Sequence, residues 1–171
     1  MTRFKDRYRI ESTRLQTWDY SHPGAYFVTI CTRDRQPFFG KIVDYKMQLS
    51  PAGVIATEEW RRTEDLRSSI TLDSWVVMPN HLHGIVCIDF DPNRPSEIDH
   101  TVRWKPGNLG AIINQFKGTC NRRIRREVDP SFGWQSRYYE HIIRNDQSLD
   151  QIRTYIDGNP ATWKDDSLFI P

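Results

Sequence analysis

Apolar residues in this chain recur with two periods, and the switches between the periods mark its elements. Residues 25–33 (AYFVTICTR) are β-branched and aromatic and apolar on both faces, the pattern of a central strand. Residues 51–68 change to helical spacing, with Ser50 as the cap and Pro51 at the first helical position. Two strands follow, 72–78 (LDSWVVM) and 81–88 (HLHGIVCI), joined by a turn at Pro79-Asn80. Residues 89–107 are polar, contain Pro92, Pro95 and Pro106, and read as a loop that is acidic at its start. Asn108 caps a helix that runs to about Glu127, its apolar positions Leu109, Ile112, Ile113, Phe116, Cys120 and Ile124 three or four apart. Residues 138–144 (YYEHIIR) form a fourth strand, and 146–157 a last helix stopped by Gly158 and Pro160. The order β-α-β-β-α-β, then α, predicts an α+β fold. Its expected form is a ferredoxin-like antiparallel sheet with helices packed on one face and a further C-terminal helix.

The 171 residues suit one domain, 1–171, with a basic N-terminal arm over 1–20. No apolar run reaches the roughly 20 residues of a membrane span, so a cytoplasmic protein with no membrane partner is expected. Cys31, Cys87 and Cys120 are far apart and form no CxxC pair, so they read as small buried residues. Net charge is only +2, but it is unevenly spread. Residues 101–128 hold seven basic side chains against one acidic, whereas 41–100 hold six against ten. A cluster of that sign can bind a polyanion, because it attracts phosphates and releases their counterions; it can equally be a solvated helix face.

The chemistry starts at His81-Leu82-His83. Residues two apart in a strand point to one side, so both imidazoles project from the same face, close enough to share a cation. Two histidines alone are also compatible with a structural pair. A third ligand is needed, and His22, His100 and His141 are the other imidazoles.

Several segments taken together resemble a known family. They are 24–32 (GAYFVTICT), 75–85 (WVVMPNHLHGI), 134–135 (WQ), 138–145 (YYEHIIRN) and 155–160 (YIDGNP). In this order they resemble the REP-associated tyrosine transposases, within the HUH single-tyrosine transposase superfamily, over most of the chain. The resemblance implies that His81 and His83 are metal ligands. It implies that Tyr155, on the helix after the last core strand, is the nucleophile, and that the Asn159 side-chain amide is a third ligand. Asn159 also reads as a helix cap or turn residue, since Gly158 and Pro160 pull it out of the helix. The implied cofactor is a divalent metal ion, Mg²⁺ or Mn²⁺.

The implied activity is cleavage of single-stranded DNA at a REP-type hairpin through a 5′-phosphotyrosine, followed by strand transfer. Attack on a phosphodiester needs charge neutralisation on the nonbridging oxygens and an in-line nucleophile. The covalent bond conserves the energy needed for rejoining. Single-stranded or hairpin DNA is the expected partner, with a homodimer possible and the site within one chain or shared between two. Two basic surfaces are candidates for DNA. One is Arg103, Lys105, Lys117, Arg122, Arg123, Arg125 and Arg126 on and before the second long helix. The other is Arg3, Lys5, Arg7, Arg9 and Arg14, interleaved with Phe4, Tyr8 and Trp18. The alternatives are a hairpin DNA- or RNA-binding module without cleavage, and a small metal-dependent hydrolase using another ligand such as His141.

Overall fold

The structure is a computed structural model that describes residues 22–90 and 108–170, together with the backbone of 3–4 and 7–8. Those two short segments, β1 (Arg3–Phe4) and β2 (Arg7–Tyr8), pair antiparallel. The main sheet has four strands: β3 (Gly24–Cys31), β6 (Ile70–Met78), β7 (His81–Ile88) and β8 (Tyr139–Ile143). Their order is β6-β7-β3-β8, antiparallel throughout. Between β3 and the first helix lies a separate hairpin, β4 (Gly40–Val43) and β5 (Lys46–Leu49). The apolar periods do not reveal it. Its turn is Asp44-Tyr45, both at positive φ (48° and 61°), where Asn-Gly would be the readable signal.

Three α-helices complete the chain: α1 (Pro51–Asp65), α2 (Leu109–Glu127) and α3 (Asp146–Gly158). Ser50 and Asn108 cap as the sequence predicts, and Asn145 caps α3 as well, each side chain satisfying an orphan backbone amide. Ser50 accepts from the Gly53 amide, Asn108 from Ala111, and Asn145 from Ser148. The α+β, antiparallel expectation therefore holds. α1 and α2 share one face, as expected, and the further C-terminal helix α3 takes the other.

Alternation along the strands explains why. Tyr26, Val28, Ile30, Leu82, Val86 and Ile142 point to one side, where α1 and α2 cover them with Trp60, Ile112, Ile113 and Phe116 in one continuous core. Gly84 lies on that side, and a Cβ there would stand 2.7 Å from the Trp60 ring. Only glycine lets α1 seat this tryptophan on the strand behind the histidines. Phe27, Ile85 and Ile143 point the other way and meet Ile156, Leu149 and Ile152 of α3 in a much smaller cluster. The free cysteines are buried or half-buried, as expected. No helix among the described residues is long and apolar enough to cross a membrane.

Candidate active site

His81 and His83 stand on the α3 side of β7, opposite Cys31 and Thr29 of β3. Both are buried, with ring centroids 4.4 Å apart. A chain of hydrogen bonds fixes which nitrogen of His81 is available. The Asn80 amide nitrogen donates to the carbonyls of Arg35 (3.1 Å) and Leu168 (2.8 Å), so its oxygen must face the His81 Nδ1 at 2.8 Å. That oxygen can only accept, so Nδ1 carries the proton and Nε2 keeps its lone pair. Nε2 is buried and has no hydrogen-bond partner. The Thr29 hydroxyl meets His83 Nδ1 at 2.8 Å, leaving that ring's Nε2 to face the Tyr155 hydroxyl at 3.2 Å. Orienting a metal-binding imidazole through its second nitrogen is the usual arrangement around bound cations.

Burial keeps both rings neutral. It pulls His81 down to about 2, helped by the charges of His83 and Arg35. It pulls His83 down to about 4, against the opposing pull of Asp166. Neutral imidazoles are the form that binds metals.

A third donor arrives from the segment after α3. His81, His83 and Asp166 each place a ligand atom within 4.8 Å of the others. The Asp166 carboxylate is held by the Leu168 amide (2.7 Å) and by the Asn159 side-chain nitrogen (3.2 Å). Asn159 is buried, and its side-chain oxygen has no hydrogen-bond partner. Unpaired buried polar atoms are costly. Two of them beside a carboxylate fit a divalent cation, whose ligands they could become. The Trp163 ring, 5.8 Å from His81, closes the site on the side of this segment. Sequence reasoning points to Asn159 and misses Asp166. The one available signal is a pair of acids, Asp165-Asp166, shortly after the tyrosine helix, and spacing does not say which of them turns inward.

Tyr155 projects from α3 and is half exposed. Burial and the Asp166 charge hold its hydroxyl above the usual tyrosine value, while the Asn159 side-chain N–H, as a donor to it, works against them. Its ring stands edge-on to Phe27 at 6.2 Å. The helix that carries it is anchored by a β-bulge between Leu72 and Trp75 of β6. There Asp73 takes both prongs of the Arg153 guanidinium (2.8 and 2.7 Å), and the Ser74 hydroxyl donates to Asp157 (2.7 Å). One chain thus brings Tyr155 to its own histidine pair.

The expected DNA contacts are placed very differently from one another. Lys5, Arg9, Arg14, Arg103 and Lys105 lie outside the described residues, as do the side chains of Arg3 and Arg7 and most of the 89–107 loop. Lys117 is buried, and burial pushes its ammonium down to about 8. It donates to the carbonyls of Gln135 (2.7 Å) and Arg137 (3.0 Å). Arg123 is bound to Glu58 (2.8 Å) and to buried Glu59 (2.7 Å) of α1. Arg125 donates to the Phe132 carbonyl, and Arg126 pairs with Glu127. Arg122, Arg125 and Arg126 are exposed, on a helix that packs against the sheet face away from Tyr155. His141 is exposed on β8 and is not among the clustered ligand groups.

A buried histidine pair able to hold a metal ion faces a tyrosine hydroxyl on an antiparallel sheet, and the chain's relatives include named transposases. No family model matches the chain. An uncharacterised protein of Haemophilus influenzae is 34% identical over 166 residues, covering 93% of this chain and 92% of its own. A protein of Escherichia coli K12 named REP-associated tyrosine transposase is 27% identical over 142 residues, covering 83% and 69%. A solved structure of a REP-associated tyrosine transposase bound to a REP hairpin shares the fold, with a TM-score of 0.59 and 20% identity over 95% of this chain and 74% of that one. The chain is thus related to proteins named REP-associated tyrosine transposase, and shares the fold of one of them.

Proposed function

We propose that the protein is a metal-dependent single-stranded DNA endonuclease and strand transferase that acts beside REP-type hairpins in the cytoplasm. The observation that carries this reading is the Tyr155 hydroxyl, 3.2 Å from His83 Nε2 and next to the unpartnered Nε2 of His81.

His81 Nε2, His83 Nε2 and the Asp166 carboxylate would hold a divalent cation, with the Asn159 oxygen as a further donor. Mg²⁺ and Mn²⁺ both suit such a mixed set, the imidazoles favouring Mn²⁺. Bound there, the ion supplies Lewis-acid neutralisation of the phosphate oxygens. Asn80 and Thr29 keep the two rings turned for that task. Arg153, through Asp73, keeps Tyr155 in line. The Tyr155 oxygen bonds to phosphorus, the bond from phosphorus to the 3′ oxygen breaks, and the tyrosine proton passes through solvent to that leaving oxygen. The products are a 5′-phosphotyrosine and a free 3′-hydroxyl. An incoming 3′-hydroxyl reverses the step without nucleotide hydrolysis. Exposed basic residues such as Arg122 and Arg126 would position the DNA through its phosphates.

The test uses a hairpin oligonucleotide with single-stranded flanks and either Mg²⁺ or Mn²⁺. The wild-type protein forms a covalent adduct that survives a denaturing gel. Tyr155→Phe forms none and still binds the hairpin within about twofold. Full adduct yield from the variant, or hairpin binding by wild type with no cleavage under either metal, overturns the reading.

A further inference from the structure

The α3 face of the sheet holds a cavity that starts at the cleavage residues and extends beyond them. It has a volume of about 380 Å³, and Phe27, His83, Tyr155, Tyr139, Gln135 and Arg137 are among its lining residues. Phe27 forms its floor and is itself buried. Two tyrosines stand edge-on to that floor: Tyr155 at 6.2 Å and 80°, Tyr139 at 6.4 Å and 69°. His83 stacks on Phe27 at 5.3 Å. Tyr139 is 56% exposed although it sits in a strand of the main sheet. Its neighbour Tyr138 also lines the cavity and is partly buried against the main core. An aromatic ring left in water beside a cavity contributes little to folding. The rim is not loose: the buried Lys117 ammonium holds the carbonyls of both Gln135 and Arg137.

We propose that this cavity receives one unstacked nucleobase of the single strand, belonging to a nucleotide next to the bond that Tyr155 cuts, with the Tyr139 ring as its stacking platform. The inference rests on the function proposed above. The occupant follows from the walls. Because His83 and Tyr155 border both the cavity and the cleavage site, whatever fills the cavity is continuous with the phosphate held there. The walls are flat and aromatic, and the rim carries an amide and a guanidinium, which suit a base and its backbone. A paired base has its faces covered and cannot enter. The pocket therefore selects unpaired DNA at the cleavage point, as Lys117 fixes the rim from behind.

The test places 2-aminopurine at successive positions of the single-stranded flank and reads its fluorescence with the Tyr155→Phe protein, which binds without cutting. One position next to the scissile bond is quenched by stacking. Adding Tyr139→Ala removes that quenching, and Tyr139→Phe retains it. In cleavage by the otherwise wild-type chain, Tyr139→Ala lowers the rate roughly tenfold or more. An abasic nucleotide at the quenched position lowers it by the same factor, and the two losses do not add. Equal quenching with and without the Tyr139 ring, or cleavage indifferent to both changes, overturns the inference while the adduct itself upholds the tyrosine mechanism. A wild-type protein that forms no adduct brings down the mechanism instead, and the fluorescence still decides whether a base stacks on Tyr139.

Discussion

The two faces of the sheet are built to different ends. Toward α1 and α2 a large continuous apolar core dominates, its few buried polar groups such as Glu59 and Lys117 are partnered, and Trp60 touches strand, helix and the gap left by Gly84. Toward α3 the apolar cluster is small, Ile156 is the one fully buried residue of the helix, and polar groups take over. Two imidazoles, an amide, a carboxylate and a half-exposed tyrosine occupy the positions that would otherwise hold packing residues. One face folds the protein. The other spends stability on pre-placed donors, and α3 stays docked through Asp73 and Ser74 as much as through apolar contact.

The sharpest way to separate the faces is to damage each in turn. Trp60→Ala, on the folding face, is expected to cost about 3–5 kcal/mol in urea unfolding. Loss of activity there should only track loss of folded protein. His81→Ala, on the working face, should lower adduct formation at least about 100-fold, while its metal-free melting temperature stays within a few degrees of wild type. If cleavage survived His81→Ala, the division of labour between the faces would be wrong.

Smaller effects test the anchor of α3. Asp73→Ala should slow cleavage by roughly 10- to 100-fold with a stability loss of about 1–3 kcal/mol, since one partner of a bidentate pair is removed. The charge-swapped double variant Asp73→Arg, Arg153→Asp should recover part of the rate if placement of Tyr155 is what the single variant disturbs.

Acid should also find the working face first. Unfolded imidazoles titrate near 6.5, whereas His83 and His81 fall to about 4 and about 2 in the folded protein. The unfolded chain therefore takes up protons before the folded one. Stability from these groups is complete above pH 6.5 and is lost as pH drops from there toward 4. The melting temperature of metal-free protein should fall by roughly 10 °C or more over that window, and less in His83→Leu.

The smallest change expected is at the exposed basic residues. Arg122→Ala or Arg126→Ala should each weaken hairpin binding by about 1 kcal/mol or less. Each DNA phosphate that a variant no longer neutralises should reduce the slope of log affinity against log salt by about one. Arg123→Ala should act on folding instead, because its guanidinium is committed to Glu58 and Glu59.

Local pattern determined a good deal of this protein. Strand alternation put His81 and His83 on one side, the caps Ser50 and Asn108 set two helix starts, and the strand and helix order announced the sheet. Those features depend on neighbours within a few residues, so a single sequence carries them. The family resemblance marked Tyr155 and Asn159. Only the tertiary structure decided the rest. Asp166 comes to the histidines because the chain turns back after α3 and is pinned by Asn80 and Arg35 to the far end of the sheet. Lys117 is a rim anchor, and Arg123 an ion-pair partner, because α2 packs inward at those positions. Tyr139 stays exposed beside a cavity, on the face of β8 that the main core does not cover. Each of these depends on residues dozens of positions apart. Composition and periodicity report the propensity of a segment, and only the closed chain reports what that segment meets.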